Sequence, residues 1–256
     1  MQQSTVTMSL LDSVAIITMD DGKVNALGLD LIDALSGALD AAEAEARAVV
    51  LAGRPGVFSA GLDLNTLQIG DPDGLKLIHK ATDVCLRLLE FPQPVVAACT
   101  GHAVALGAGL LLCCDIRICA AGDFKIGFNE VSIGIPMPEL MVGLARERLS
   151  RRHLMMAVAT AQIYTPPEAV EVGFLDRAGS SNPTRDALQV ATDLARRLDL
   201  GAFADTRQVI CGRFADTILR HAGGLMEIRR SLIPDVPPLS KDRPRSKNRP
   251  RRGTGR

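Results

Sequence analysis

Two kinds of group in this sequence are placed to do chemistry: a carboxylate able to move a proton, and backbone N–H groups able to hold an oxygen as it becomes negative. The carboxylate is Glu130, which follows Asn129 and a strand-like run at 124–127. The donors belong to two stretches where an apolar run ends in small residues. In one, Gly101 closes an apolar run, Ala105-Leu106-Gly107-Ala108-Gly109 carries the backbone round, and Leu110-Leu111-Leu112 begins a buried helix. In the other, the apolar residues 48–52 end at Gly53 and empty into RPGVFSAGLDL at 54–64, which reads as a second strand, small-residue turn and helix start. The first N–H groups of a helix have no partner within it, and small side chains let a ligand oxygen approach them. If the turns near Ala60 and Leu106 face each other, they form a two-donor hole for a carbonyl oxygen that becomes anionic. Losing one such donor typically costs about 2.7–4 kcal/mol of transition-state stabilisation. Spacing alone also fits ordinary glycine-rich α/β turns and a solvated loop carboxylate.

Other chemistries fail on their spacing. Gly107-Ala108-Gly109 is followed by leucines rather than a third glycine, with no acidic residue at a strand end about twenty positions on, so dinucleotide binding is not indicated. Val57 stands where a G-x-S-x-G nucleophile elbow needs glycine. No phosphate-binding loop with its lysine is found. His102, alone after Gly101 at a strand end, fits a turn or packing residue. The six cysteines, Cys85, Cys99, Cys113, Cys114, Cys119 and Cys211, form no CxxC pair and lie mostly in apolar runs, so they read as buried small hydrophobes rather than metal ligands or disulfides.

The elements that position these groups follow from periodicity. Residues 5–10 and 13–19 alternate as a hairpin does. Leu29, Ile32, Leu35 and Leu39 share one helical face, and 48–52 is a strand. A further helix is expected from about 74 to 90, stopped by Phe91-Pro92-Gln93-Pro94. Beyond Pro138 the leucines at 140, 144 and 149 predict one helix running towards Val158. Thr165-Pro166-Pro167-Glu168 has the form of an N-cap with helix-initiating prolines and a capping-box glutamate. Helical patterns return at 184–198 and 203–219. Strands alternate with helices in the first half and helices dominate the second, which predicts an α/β core with a helical C-terminal part.

Composition narrows the function. The chain has no Trp and one Tyr, Tyr164, which argues against a surface built on aromatic stacking for single-stranded nucleic acid. Lys and Arg balance Asp and Glu, 29 to 29, so no overall field selects a polyanion. The N-terminal residues lack the pattern of a signal or transit sequence and no apolar run is long enough to span a membrane, so the expected location is cytoplasmic. From Ser240 the chain is rich in Pro and Arg and lacks apolar residues, so a disordered tail is expected.

Taken together, residues 53–64, the central stretch 94–136, Val24-Asn25-Ala26-Leu27 and PEAVEVGFLD at 167–176 resemble the crotonase superfamily, also called the enoyl-CoA hydratase/isomerase family, over about residues 14–176. The resemblance implies a spiral of ββα units at 1–190, a helical trimerisation region at 191–235 and a tail at 236–256. It implies an acyl-CoA thioester substrate, with coenzyme A as part of that substrate and no separate cofactor or metal. It also implies a homotrimer or dimer of trimers, and neither nucleic acid nor membrane as a partner. The thioester oxygen would be held by the N–H of Ala60 and that of Leu106, or Gly107. Lys23, Ala26, Gly61, Leu62, Asp63 and Leu64 would lie along the coenzyme.

Members that hydrate a double bond typically carry two glutamates, and here the first of those positions is Gly109. The segment around Asn129-Glu130 is instead similar to that of single-glutamate isomerases, which move a 3-enoyl double bond to the 2-position in fatty-acid metabolism. Glu130 would then be the catalytic base. Hydration would require Glu139 or Asp63 to supply a second carboxylate. A non-catalytic acyl-CoA binder would keep the segment at Ala60 without the proton transfer. A serine peptidase of the related Clp-like fold would need a serine at the turn where this chain has Ala105-Leu106-Gly107-Ala108.

Overall fold

The computed structural model describes residues 5–67 and 72–232, with the side chains at 213, 217 and 219–232 outside the description. The tail expected at 236–256 therefore lies outside the described residues. Contacts divide the chain into one compact unit ending at Ile218 and a second beginning at Leu219.

The chain opens with an antiparallel hairpin, β1 (Val6–Leu11) and β2 (Val14–Met19). A short β3 (Ala26–Leu27) leads into α1 (Leu29–Glu45), which buries Leu31, Ile32, Leu35, Leu39 and Ala42 on one face. There follow β4 (Ala48–Ala52), β5 (Gly56–Ser59), β6 (Gly61–Leu62) and α2 (Pro72–Leu89). The centre of the chain forms β7 (Val95–Cys99), β8 (Gly101–Val104), α3 (Leu106–Cys113), β9 (Ile116–Ala120) and β10 (Ile126–Gly127). The remainder is α4 (Glu139–Arg148), α5 (Leu154–Val158), α6 (Pro166–Val172), β11 (Arg177–Ser180), α7 (Pro183–Arg197) and α8 (Leu200–Leu232).

Six strands make the main sheet in the order β1-β2-β4-β7-β9-β11, parallel throughout except for the opening hairpin. Along β4 the side chains alternate between two cores. Val49 and Leu51 join Leu35, Leu39, Leu77 and Val84 from α1 and α2, while Ala48, Val50 and Ala52 meet Ala187, Ala191 and Leu194 of α7. Burial on both faces is why β4 and β7 read as unbroken apolar runs rather than as alternating strands. Two smaller parallel sheets, β10-β8-β5 and β3-β6, stand beside the main one and carry the turns of interest.

One expected helix is two. Leu149 is extended at ψ 153° after α4, and Ser150 N–H donates to Val172 O at 2.9 Å rather than continuing the helical ladder. This bond to α6 draws the chain out before α5 begins. The start of α6 is as expected: Glu168 Oε2 accepts the Thr165 N–H at 2.8 Å, with Pro166 in the first turn. All six cysteines are buried free thiols.

Candidate functional site

The two small-residue turns face each other. Gly61 has φ +85°, and a Cβ placed on it would lie 2.7 Å from Ala105 Cβ and 2.9 Å from Leu106 N. Only glycine allows both that backbone conformation and that approach. A Cβ on Gly107 would likewise meet Ser59 O at 2.2 Å. Leu106 and Gly107 are the first two residues of α3, where N–H groups lack helical partners. Ala105, just before them, is held at φ 53° and ψ −133°. Such strain in a residue with a Cβ costs of order ~1–3 kcal/mol and gathers at functional sites.

On the other side the geometry corrects the expectation. Residues 61–62 form a strand and 64–66 a turn, with no helix starting after Ala60. The cause is the parallel pairing of β6 with β3, which sets Ala26 opposite Gly61 and Leu27 opposite Leu62. The Ala60 N–H assigned to the oxyanion is spent within the fold, donating to Val24 O at 3.0 Å. Gly61 N–H donates to Ser59 Oγ at 3.1 Å, and Asp63 N–H to Leu27 O at 3.1 Å. Successive N–H groups of a strand point to opposite sides, so with that of Asp63 turned towards β3, that of Leu62 points away from it.

Two buried polar residues, which lie in the segments that carry the family resemblance but to whose side chains the sequence assigns no role, set this arrangement. Asn25, wholly buried and at φ 50°, donates from Nδ2 to Met19 O at 2.9 Å and Phe58 O at 3.1 Å, and its Oδ1 accepts from Asp21 N–H at 2.9 Å. Ser59 Oγ donates to Asn25 O at 2.8 Å. They lock the residues before β3 onto the end of β5, and so bring Ala26 and Leu27 beside Gly61, Leu62 and Asp63, whereas among the described residues no hydrogen bond draws Lys23 and Leu64 together. Lys23 is exposed, its carbonyl accepting from Arg54 Nη1 at 2.7 Å, and Leu64 is exposed as well. Burial raises the pKa of Asp63, but hydrogen bonds from Asn65 and Thr66 outweigh it and hold the carboxyl below its ordinary value.

Glu130 is the opposite case. It precedes a 3₁₀ turn at Val131–Ile133, and its carbonyl accepts from Ile133 N–H at 3.1 Å and Ile135 N–H at 2.9 Å. The residue is only 7% exposed, and its Oε2 has no hydrogen-bond partner. Burial pushes its pKa up despite the nearby N–H groups of Glu130 and Asn129. The neighbouring Asn129 Oδ1 is also buried and unpartnered. Buried oxygens left unpartnered on two consecutive residues call for an explanation, and a ligand donor is one. The segment is tied to the helix start through Ala105 N–H, which donates to Gly127 O at 3.0 Å. Glu139 is exposed, and Gly109 offers no side chain.

The family described as enoyl-CoA hydratase/isomerase matches residues 10–206 of this chain. A probable enoyl-CoA hydratase of Bacillus subtilis is 33% identical over 136 residues, 52% of each chain. The human mitochondrial enoyl-CoA delta isomerase 1 is 32% identical over 169 residues, 64% of this chain and 56% of that one. The chain thus spans little more than half of these two relatives. The crystal structure of the probable enoyl-CoA hydratase EchA3 from Mycobacterium tuberculosis superposes with a TM-score of 0.84 at 34% identity, covering 88% of this chain and 96% of that one. The fold is therefore that of the crotonase superfamily.

Proposed function

Since this chain belongs to the enoyl-CoA hydratase/isomerase family, we propose that it shifts the double bond of a 3-enoyl-CoA to the 2-position, with Glu130 as the sole acid–base group. The thioester oxygen sits between the N–H groups of Leu62 and Leu106, with Gly107 next to the second donor. Glu130 removes a proton from C2 and the electron pair spreads through C3, C4 and the carbonyl as a dienolate. The same carboxyl returns the proton at C4, leaving the double bond between C2 and C3. One proton changes place, so one carboxylate suffices. Fixed donors contribute where the oxygen's charge appears. Lys23, Ala26 and residues 61–64 hold the coenzyme A part of the substrate, and no other cofactor takes part.

The observation that carries this reading is a buried carboxylate with one oxygen unpartnered and its pKa raised, three residues after the Gly127 carbonyl that accepts the Ala105 N–H at the start of α3. Hydration, which the name of the Bacillus relative suggests, asks for a second proton-transfer group. The Asp63 carboxyl is taken up by hydrogen bonds from Asn65 and Thr66 and Glu139 is exposed, so neither suits that role. Glu130→Gln should lower the rate of the shift by roughly 10²–10⁴-fold while leaving the circular dichroism spectrum unchanged. Retained turnover would remove Glu130 from the mechanism. The protein is further proposed to assemble as a homotrimer or a dimer of trimers, through its helical C-terminal region.

A further inference from the structure

Ala105 holds a backbone conformation that glycine would adopt freely. At φ 53° and ψ −133° it stands outside the regions open to residues with a side chain. The chain nevertheless fixes it there from both sides: its N–H donates to Gly127 O at 3.0 Å, and its carbonyl accepts from Ala108 N–H at 2.9 Å and Gly109 N–H at 3.2 Å. Its methyl group meets the opposite turn. Ala105 Cβ is the nearest atom to a Cβ built on Gly61, at 2.7 Å, and Leu106 N is next at 2.9 Å. The turns cross a second time at Gly107, where a Cβ would stand 2.2 Å from Ser59 O. At the first crossing a methyl group stands between the turns, and at the second Gly107 lies directly on the backbone of Ser59.

We propose that Ala105 is a positioning residue for the oxyanion: its methyl group, packed on Gly61, spaces the Leu62 and Leu106 N–H groups, and stability is given up to a strained backbone for a fixed gap. This rests on the reading above that those two N–H groups hold the thioester oxygen. Leu62 follows Gly61 and Leu106 follows Ala105, so the contact between Gly61 and Ala105 reaches each donor through a single peptide unit. Donors contribute most when they already stand where the charge forms and need not move during the reaction. Without the methyl group, close packing draws the two turns together and the gap no longer matches the oxygen.

Ala105→Gly and the conservative Ala105→Ser, which keeps the β-carbon, test this. A merely structural residue would show in stability alone, and relief of the strain should raise the melting temperature of Ala105→Gly by about 2–4 °C. A spacer should also affect the rate. For Ala105→Gly, kcat with 3-enoyl-CoA should fall roughly tenfold with KM nearly unchanged, less than the roughly 10²–10³-fold that follows loss of a whole donor. A second readout needs no turnover: the infrared C=O band of a bound saturated acyl-CoA with an isotopically labelled carbonyl. The parent protein should lower this band relative to free thioester, Ala105→Gly should return it part of the way, and Ala105→Ser should keep the lowered band and most of kcat. An Ala105→Gly protein with the kcat and the band of the parent would overturn the proposal. So would an Ala105→Ser protein that loses as much as Ala105→Gly. A parent protein that leaves the band where free thioester has it would overturn the proposal together with the oxyanion reading. One that lowers the band but shifts no double bond would remove the isomerase reading alone, and the bands of the two variants would still decide the role of Ala105.

Discussion

Glu130 makes the fold weaker as an anion than as a neutral acid, because burial disfavours its charge. Its folded pKa lies above its unfolded one, so between the two values the folded chain binds more protons than the unfolded chain. Its contribution to stability is therefore fully present below the unfolded value and is lost as pH rises through the folded value. Glu130→Gln should accordingly raise the melting temperature at about pH 8 relative to the parent protein, and the gap should narrow at about pH 4. Thermal melts at both pH values decide this, and a gap that does not depend on pH would contradict it. The proposed proton transfer starts from the ionised form, so activity should fall on acidification at a pH above the usual glutamate value of about 4.3. The position of this residue was legible in the sequence because a carboxylate after a short strand is a local pattern. Which N–H of the first turn stays free was not. Whether Ala60 or Leu62 offers its N–H depends on which of them faces Val24 and β3, and that is fixed by a strand more than thirty residues earlier in the chain.

Among the elements, the pairing of β3 with β6 does most to shape the site, and Asn25 holds it. Asn25→Ala would leave Met19 O, Phe58 O and Asp21 N–H without their partner, at about 1–3 kcal/mol for each group that stays buried. The variant should melt lower and, on the proposed function, bind acyl-CoA thioesters more weakly, since Ala26 and Leu27 are no longer held against Gly61 and Leu62. Denaturant unfolding and titration with a saturated acyl-CoA measure the two effects, and unchanged binding would show that Asn25 serves stability alone. The helices α1, α2 and α7 were legible in outline because each lays an apolar stripe on the sheet, and α6 because its cap is written in four consecutive residues. The break between α4 and α5 was hidden. Leu149 continues the helical spacing, and what ends the helix is the distant carbonyl of Val172.

At the scale of the whole molecule, Cys211, Ala215 and Ile218 join the first part of α8 to the main core, and one buried cation ties it to backbone carbonyls. Arg207, 4% exposed, donates to the carbonyls of Leu88, Leu89, Phe91 and Gln93 and pairs with Asp115 at 3.0 Å. It fastens the first part of α8 to the end of α2 and the start of β7, within the unit that ends at Ile218. Val209 and Ile210 on the same helix remain exposed, at 79% and 66%. This apolar face is consistent with the proposed assembly, for which sedimentation should give three or six times the 27.2 kDa of one chain. A species at the mass of one chain across micromolar concentrations would count against it. Among the described residues no helix is long and apolar enough to cross a membrane. The central claim is that one buried carboxylate, opposed by fixed N–H donors, moves a proton within the substrate. Its most direct test is to give the purified protein 3-enoyl-CoA and 2-enoyl-CoA separately, and to follow double-bond position and water addition by mass spectrometry and absorbance. The account predicts 2-enoyl-CoA from the first and little 3-hydroxyacyl-CoA from the second. Rapid 3-hydroxyacyl-CoA formation, or no shift of the 3-enoyl bond, would contradict it.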